Sequence, residues 1–168
     1  DNQLPTVSGC PSNQSLNTGA GICTQNYIIP FPTIADNCPG AYTWHATFSG
    51  NANGNPSNLA GIANGVNSSA VTFQKGTTNV TLSATDANGN VSTANCSFTV
   101  TVTDNQAPQL YCPSSRTFSV ITNTCYADYV IRDSIYDNCT SLTWGYKLSG
   151  ATTSSTVTGI PAGTDAGP

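Results

Sequence analysis

Apolar and β-branched residues occur along this chain in short runs, separated by Gly, Pro, Asn and Asp. Alternation with a period of two is typical of strands, and no segment keeps the 3.6-residue period of a helix over a helical length. Alternating Cys96, Phe98, Val100 and Val102 are one example, and they predict one apolar strand face. The pattern predicts an all-β chain. The predicted strands are residues 6–10, 15–17, 22–29, 41–48, 70–73, 79–85 and 91–103.

The first part of the sequence is repeated in the second, which indicates two copies of one module. We therefore predict a first module at 1–103 and a second at 104–168, the second truncated because it matches only the first two thirds of the first. Gly50 and Gly76 are 26 residues apart, but Gly150 and Gly163 only 13, which indicates that most of 51–67 is an inserted surface loop. The recurring residues are Asp1, Cys10, Cys23, Asp36, Cys38 and Trp44, matched by Asp104, Cys112, Cys125, Asp137, Cys139 and Trp144.

Charge is scarce in this chain, and this excludes some partners. The 168 residues contain four Lys and Arg, eight Asp, no Glu and no Met, for a net charge of −4. Nucleic-acid binding needs a basic stripe, which is missing, so we expect no nucleic-acid partner. No run approaches the roughly 20 apolar residues of a membrane span. We therefore expect no membrane span in these residues, and a surface covered by hydroxyl and amide groups.

Seven cysteines without C-x-x-C pairs indicate disulfides formed in an oxidising, extracellular or cell-surface location. Cys23 and Cys96 lie on apolar faces of strands that we expect in opposing sheets. Of the three possible pairings in the first module, we therefore predict Cys23–Cys96 with Cys10–Cys38. By repetition the second module is predicted to contain Cys112–Cys139, with Cys125 unpaired.

Several motifs together resemble the HYR (hyalin repeat) family of tandem extracellular modules. They are Cys10-Pro11, Asp36-Asn37-Cys38, Lys75-Gly76-Thr77-Thr78, the run from Ala84 to Asn90, and the alternating strand that begins at Cys96. The resemblance covers essentially all of 1–103. It implies tandem immunoglobulin-like β-sandwiches, stapled by disulfides, of the kind found in large surface and secreted proteins of Bacteroidota.

The function implied by this resemblance is structural or adhesive: a non-catalytic spacer that extends, presents or assembles a surface fibre, filament or adhesin. The expected partners are neighbouring modules of the same chain, other copies in a fibre, or surface glycans and proteins. One alternative is a module that binds a glycan or protein through the 51–67 loop, with Asn51, Asn53, Asn55 and Asn58 as candidate contacts. Another is an accessory domain of a secreted hydrolase.

His45 is the only histidine, and its counterpart in the second module is Gly145. A Ser-His-Asp site needs a nucleophile and an orienting carboxylate within reach of the histidine. No G-x-S-x-G motif is present. We therefore expect no enzyme, no catalytic residue, and a strand histidine facing solvent.

The aspartates have two interpretations, and the sequence leaves both open. No cofactor is required, but calcium binds carboxylate, amide and carbonyl oxygens, and the repeat places Asp at module ends. Equally, Asp next to Asn and Gly forms Asx turns and tight hairpins. The candidate calcium ligands at the module junctions are Asp1, Asp36, Asp86, Asp104 and Asp137.

One candidate modification site completes the sequence predictions. Asp133-Ser134-Ile135 resembles the Asp-Ser/Thr-aliphatic sequence that is O-glycosylated in Bacteroidota, so Ser134 is a candidate glycosylation site.

Overall fold

The computed structural model of the chain describes residues 2–38, 40–92, 96–132, 134–139, 142–150, 152 and 156–162. The chain forms two compact units, Asp1–Asn105 and Gln106–Pro168, here called unit 1 and unit 2. Every regular element among the described residues is a β-strand, so the all-β prediction is confirmed. The units divide two residues beyond the module boundary that we predicted.

Unit 1 is built from strands of 3 to 10 residues, and in most of them the side chains alternate between more buried and more exposed positions. Such alternation places one face of a strand in the core. In the described part of unit 1 the strands are β1 (Thr6–Ser8), β2 (Gln14–Asn17), β3 (Thr24–Ile28), β4 (Thr33–Ala35), β5 (Thr43–Ser49), β6 (Leu59–Ala63), β7 (Ala70–Gln74), β8 (Gly76–Thr85) and β9 (Cys96–Thr103).

Five of these strands form one sheet, in the order β2-β9-β8-β5-β6. Its neighbours are antiparallel, except that β2 lies parallel to β9. The long β8 and β9 alternate regularly between buried and more exposed residues, because every second residue is apolar or small. One face of the sheet is therefore apolar.

The two-stranded pairs β1–β4 and β3–β7 contribute to the same core as the five-stranded sheet. Val7 of β1 and Phe73 of β7 join Trp44 of β5 in this core, and Trp44 and Phe73 have no exposed surface. Phe73 meets Phe48 edge to face, with ring centroids 5.7 Å apart. Burial of each large apolar side chain stabilises the fold by about 1.5–3 kcal/mol. Trp44, which recurs as Trp144, is the largest of the fully buried side chains.

Strands β4 and β6 were missed by the sequence prediction. Their sequences, Thr-Ile-Ala and Leu-Ala-Gly-Ile-Ala, are too short or too uniformly apolar to alternate. Gly61 also lies within β6 at a φ of 66°, and glycine inside a strand usually weakens it or marks a bulge. The β5–β6 register shifts between Trp44 and Ala46, opposite this glycine.

Unit 2 repeats the local pairings of unit 1. The β10–β11 pair joins Gln109 to Tyr136 and Leu110 to Ile135, as β1–β4 joins Thr6 to Ala35 and Val7 to Ile34. The β12–β13 pair has the β5–β6 register, with the same shift after the tryptophan. The strands of the described part of unit 2 are β10 (Gln109–Leu110), β11 (Ile135–Tyr136), β12 (Thr143–Tyr146) and β13 (Val157–Pro161).

This registration shows that the prediction of an insertion at 51–67 was wrong. Strand β13 matches β6, which lies inside that segment, and Ala162 donates to the Leu142 carbonyl as Asn64 donates to that of Tyr42. The offset between the copies falls only from 100 at Trp44 and Trp144 to 98 at Ile62 and Ile160. Matching Gly163 to Gly76 had skipped an edge strand that both copies contain.

The predicted disulfide pairing in unit 1 was also wrong, because Cys10 is bonded to Cys96. Cys38 is free. It does not pair with Cys10 because the two residues lie beyond opposite ends of the antiparallel β1–β4 pair. Cys23 is disulfide-bonded, but not to Cys96. The Cys23 carbonyl accepts the Lys75 N–H, and the next residue, Gly76, pairs with Val102 of β9. Cys23 therefore lies near the Val102 end of β9. Cys96 lies six strand residues from that end of β9, about 20 Å away.

The predicted Cys112–Cys139 bond fails for a similar reason. Cys112 follows β10 and Cys139 follows β11, and these strands are antiparallel, so the two cysteines leave the pair at opposite ends. Cys112 is free and exposed, whereas Cys139 is disulfide-bonded. Cys125, for which we expected no partner, is free and exposed.

Candidate functional site

The feature that distinguishes unit 1 is the join between the edge strand β2 and the last strand, β9, here called the β2–β9 clasp (residues 10–17 with 96–103). Pro11 cannot donate a backbone hydrogen bond, so it separates β1 from the continuation in β2. The chain leaves the β1–β4 pair there and adds β2 to the five-stranded sheet. The sequence predicted two separate strands here, 6–10 and 15–17, but not their partner strands.

The disulfide continues the register of the parallel strands. Gln14 lies opposite Val100 and Asn17 opposite Thr103, an offset of 86 residues, and Cys10 and Cys96 are also 86 residues apart. Their Cα atoms are 5.4 Å apart, within the usual range for a disulfide. Cys96 lies in the core with 1% of its surface exposed. The bond therefore joins the two strands at the end where both begin.

Hydrogen bonds hold the rest of the clasp. The Asn13 side-chain Oδ1 accepts the Thr99 N–H at 2.9 Å, and beyond β2 the Thr18 N–H donates to the Thr103 carbonyl at 3.0 Å. Leu16 packs against the core between these contacts. The clasp is thus closed by a covalent bond at one end, and hydrogen bonds hold the two segments together from there to the other end. Neither Asn13 nor the Cys10–Cys96 pair was identified from the sequence, because a parallel pairing between distant strands leaves no local signal.

His45 lies in β5 and bridges its two neighbouring strands. The Gly61 N–H of β6 donates to Nδ1 at 3.2 Å, so the proton of the neutral ring is on Nε2, which lies 2.9 Å from the Thr85 hydroxyl of β8. The side chain is part-buried. Both ring nitrogens therefore have structural partners, and the prediction of a solvent-facing histidine was incomplete.

The four asparagines proposed as ligand contacts are hydrogen-bonded within unit 1. Asn51 is 6% exposed and donates to the Gln74 carbonyl and the Thr78 hydroxyl. Asn53 donates to the Lys75 carbonyl. Asn55 Oδ1 accepts the Asn51 N–H, and Asn58 Oδ1 accepts the Phe48 N–H. These side chains tie the segment before β6 to β5, β7 and β8.

Two of the candidate calcium ligands stabilise turns. Asp36 Oδ1 accepts the Cys38 N–H at 2.9 Å, and Asp137 Oδ1 accepts the Cys139 N–H at 2.8 Å, so both form Asx turns. Asp104 directly follows β9 and is partly buried. Asp1 lies outside the described residues. Within the described ranges, no three His, Cys, Asp or Glu side chains are grouped as a metal site.

Asp86 organises the hairpin between β8 and β9. Its Oδ1 accepts the N–H groups of Asn88 and Asn90, and its Oδ2 accepts the Asn90 side-chain amide, each at 2.8 Å. Desolvation raises the pKa of this carboxyl. The hydrogen bonds from the Asn90 side chain and from the backbone of Asn90, Asn88 and Gly89 outweigh it, and the pKa is lowered overall.

Ser134 is exposed and immediately precedes β11, and its carbonyl accepts the Tyr111 N–H at 2.8 Å. Its side chain is therefore accessible at a strand end. The neighbouring Asp133, which belongs to the candidate glycosylation sequence, lies outside the described residues.

Comparison of the sequence with models of known protein families and with curated proteins finds no match. In the ranges that the structure describes, no helix has the length and apolar character needed to cross a membrane. The disulfides indicate an oxidising environment of the extracellular type.

Proposed function

We propose that this chain is a load-bearing structural module of an extracellular surface protein or fibre, and that its action is mechanical rather than catalytic. The observation that supports this proposal is the β2–β9 clasp. Its disulfide joins residue 10 to residue 96, so residues 11–95 form a closed loop that lies outside the covalent path from one end of unit 1 to the other.

Tension applied to the ends of unit 1 follows a short path under this proposal. A force entering at Asp1 reaches Cys10, crosses to Cys96 and leaves along β9 towards Asn105. The hydrogen bonds that join β3 to β7, and β5 to β6 and β8, lie within the closed loop and carry none of this load. Because β2 is parallel to β9, even the clasp without its disulfide would be loaded in shear, with its hydrogen bonds strained together rather than one after another.

The strand order also supports the immunoglobulin-like sandwich that the HYR resemblance implies. One layer would be the β2-β9-β8-β5-β6 sheet and the other the β1–β4 and β3–β7 pairs, since both contribute to one core. Repetition of two registers in unit 2 supports a tandem arrangement. Aligned sandwiches of antiparallel sheets are the usual form of such domains.

A surface of hydroxyl groups is suited to a spacer module that is exposed to solvent. On the exposed face of β8 and β9 the Thr77 and Thr101 hydroxyls are 3.0 Å apart, and those of Thr81 and Ser97 are 3.3 Å apart. Such cross-strand pairs add about 0.2–1 kcal/mol each. These hydroxyl pairs make the outer face of the sheet polar although it carries few charges.

Force spectroscopy on the whole chain, with handles at residues 1 and 105, tests the proposal. We expect the oxidised chain to show no long extension step from unit 1. Reduction should release residues 11–95, and because the two cysteines are 86 positions apart it should add up to about 300 Å of contour length.

Cys23→Ser is the matched control, because it removes another disulfide-bonded cysteine and leaves the clasp closed. It should keep the short oxidised extension, whereas Cys10→Ser with Cys96→Ser should lose it. A long step from the oxidised wild-type chain would contradict the proposal.

A further inference from the structure

The dipeptide Asn-Gly occurs three times in unit 1, at 53–54, 64–65 and 88–89. All six residues are exposed, and each pair lies at a turn. In water an Asn-Gly pair reacts with itself, because the glycine nitrogen reaches the asparagine side-chain carbon with no Cβ to hinder the approach. In a folded chain the rate depends on the hydrogen bonds that hold the two reacting groups. These bonds differ among the three pairs.

In two of the pairs the glycine N–H closes the turn. Gly54 donates to the carbonyl three residues before it at 3.2 Å, and Gly89 does the same at 3.3 Å, so each is the fourth residue of its turn. The Asn53 side-chain amide is also fixed, since it donates to the Lys75 carbonyl at 2.8 Å. A nitrogen held in this way must give up its hydrogen bond before it attacks. The fold therefore slows the reaction at both pairs.

The pair Asn64-Gly65 is placed differently in its turn. The turn is closed one residue later, by the Val66 N–H and the Ala63 carbonyl at 3.2 Å, so Gly65 is the third residue. Its φ of 76° is the left-handed conformation for which that position favours glycine. In the part of the chain that the structure describes, neither the Gly65 N–H nor the Asn64 side chain has a hydrogen-bond partner. Both reacting groups are therefore unrestrained and exposed to water.

We propose that Asn64 is a self-modification site of the folded chain, with water as the co-reactant. The Gly65 nitrogen loses its proton to a solvent base and attacks Cγ of Asn64, and the Cγ–Nδ2 bond breaks with release of ammonia. Water then opens the resulting succinimide ring. Hydrolysis of the bond from this nitrogen to Cγ leaves aspartate at position 64. Hydrolysis of its bond to the backbone carbonyl leaves isoaspartate, in which the chain continues through Cγ. Neither step oxidises or reduces any atom.

The isoaspartate product alters a segment that covers the core. Two residues after Asn64, the Val66 carbonyl accepts the Nε1–H of the buried Trp44 at 3.0 Å. Isoaspartate inserts one extra backbone atom before Val66, which displaces this carbonyl from the indole. The site lies inside the closed loop of 11–95, so the modification leaves the disulfide of the clasp intact.

Unit 2 indicates a variant that removes the site without changing the turn. The residue that matches Asn64 there is Ala162, which is also followed by glycine. Each donates its N–H to the carbonyl of the residue that precedes the tryptophan strand, β5 or β12. This position therefore accommodates alanine, and Asn64→Ala should fold as the wild type does.

Peptide mapping by mass spectrometry, on the whole chain kept folded at mildly alkaline pH, tests the proposal. We expect residue 64 to be converted about ten-fold faster than residue 53 or 88, because breaking one typical hydrogen bond slows a reaction by roughly that factor. In denaturant the three pairs should react at similar rates, since the turns are lost. Asn64→Ala should abolish the fast release of ammonia and retain the slow conversion at 53 and 88.

Trp44 fluorescence in a Trp144→Phe background measures the consequence for the core. Incubation until residue 64 is converted should shift the Trp44 emission towards that of an exposed indole. Asn64→Asp, which lacks the extra backbone atom, should not. Equal or slower conversion at residue 64 in the folded chain, or the same order of rates in denaturant, would overturn the site. An unchanged Trp44 emission after conversion would overturn its effect on the core.

Discussion

At the scale of single residues, the side chains that suggested binding or catalysis are used to connect strands and turns. Asn51 is buried and donates to the Gln74 carbonyl and the Thr78 hydroxyl, and His45 bridges β6 and β8. Ser68 and Ser92, which the sequence did not single out, accept the N–H groups of Ile29 and Ala84. Hydroxyl and amide side chains thus satisfy backbone groups that would otherwise be buried without partners.

Asp86 leads to a prediction about pH. Its pKa is lowered in the fold from the ordinary value of 3.8, so its ionised form stabilises the hairpin. This stabilisation is fully present above pH 3.8 and is lost as the pH falls through the lowered pKa. Asp86→Asn should therefore unfold at a lower temperature than the wild type near neutral pH, and the difference should shrink below pH 3.8.

Thermal unfolding of both proteins at a series of pH values measures this effect. Asp128→Asn is the control, because Asp128 is an exposed aspartate of unit 2. A difference between wild type and Asp86→Asn that persists unchanged into strong acid would show that the carboxylate charge is irrelevant.

At the scale of elements, His45 determines how firmly the edge strand β6 is held. Removing the ring in His45→Ala takes away the acceptor for Gly61 and the partner of Thr85. Because a typical intramolecular hydrogen bond contributes about 0.5–1.5 kcal/mol, we expect a loss of about 1–2 kcal/mol in the free energy of unfolding. Faster amide exchange in β6 than in β9 should accompany it.

Denaturant unfolding and amide exchange of the variant check this prediction. Thr47→Ala is the matched control in β5, since the Thr47 hydroxyl is exposed and reaches its acceptor only at 3.5 Å. If both variants lose the same stability, the bridging role of His45 is refuted.

Strands with regular alternation could be predicted, and the pairing of distant strands could not. Strands β8 and β9 follow from the alternation in their sequences. The parallel β2–β9 pair depends on residues 86 positions apart, so no local pattern encodes it. The predicted cysteine pairing was wrong for the same reason, because a choice among the three possible pairings requires knowledge of the strand order. The repeat contained a usable signal: aligning Ile160 with Ile62 would have identified β6.

At the scale of the whole molecule, the clasp is also a source of stability for unit 1. A bond between cysteines 86 positions apart restricts the unfolded chain, and native disulfides typically stabilise by about 2–5 kcal/mol. Cys10→Ser with Cys96→Ser should lower the free energy of unfolding of unit 1 by that amount. Trp44 fluorescence in a Trp144→Phe background measures it, because Trp44 is buried in the unit 1 core.

Cys38→Ser provides the comparison, since Cys38 is a free and exposed cysteine of the same unit. Surface substitutions of this kind usually change stability by less than about 0.5 kcal/mol. Equal stability of the clasp variant and the wild type would mean that the disulfide does not restrict the unfolded state.

The closed loop of 11–95 has a consequence for how such modules diverge. Under the proposed load-bearing function, the length of unit 1 between its two ends depends only on the residues before Cys10, the disulfide and the strand that begins at Cys96. Turns and edge strands inside the loop can gain, lose or exchange residues without altering that length. Sequence changes inside the loop are thereby uncoupled from the length of the path that carries the load.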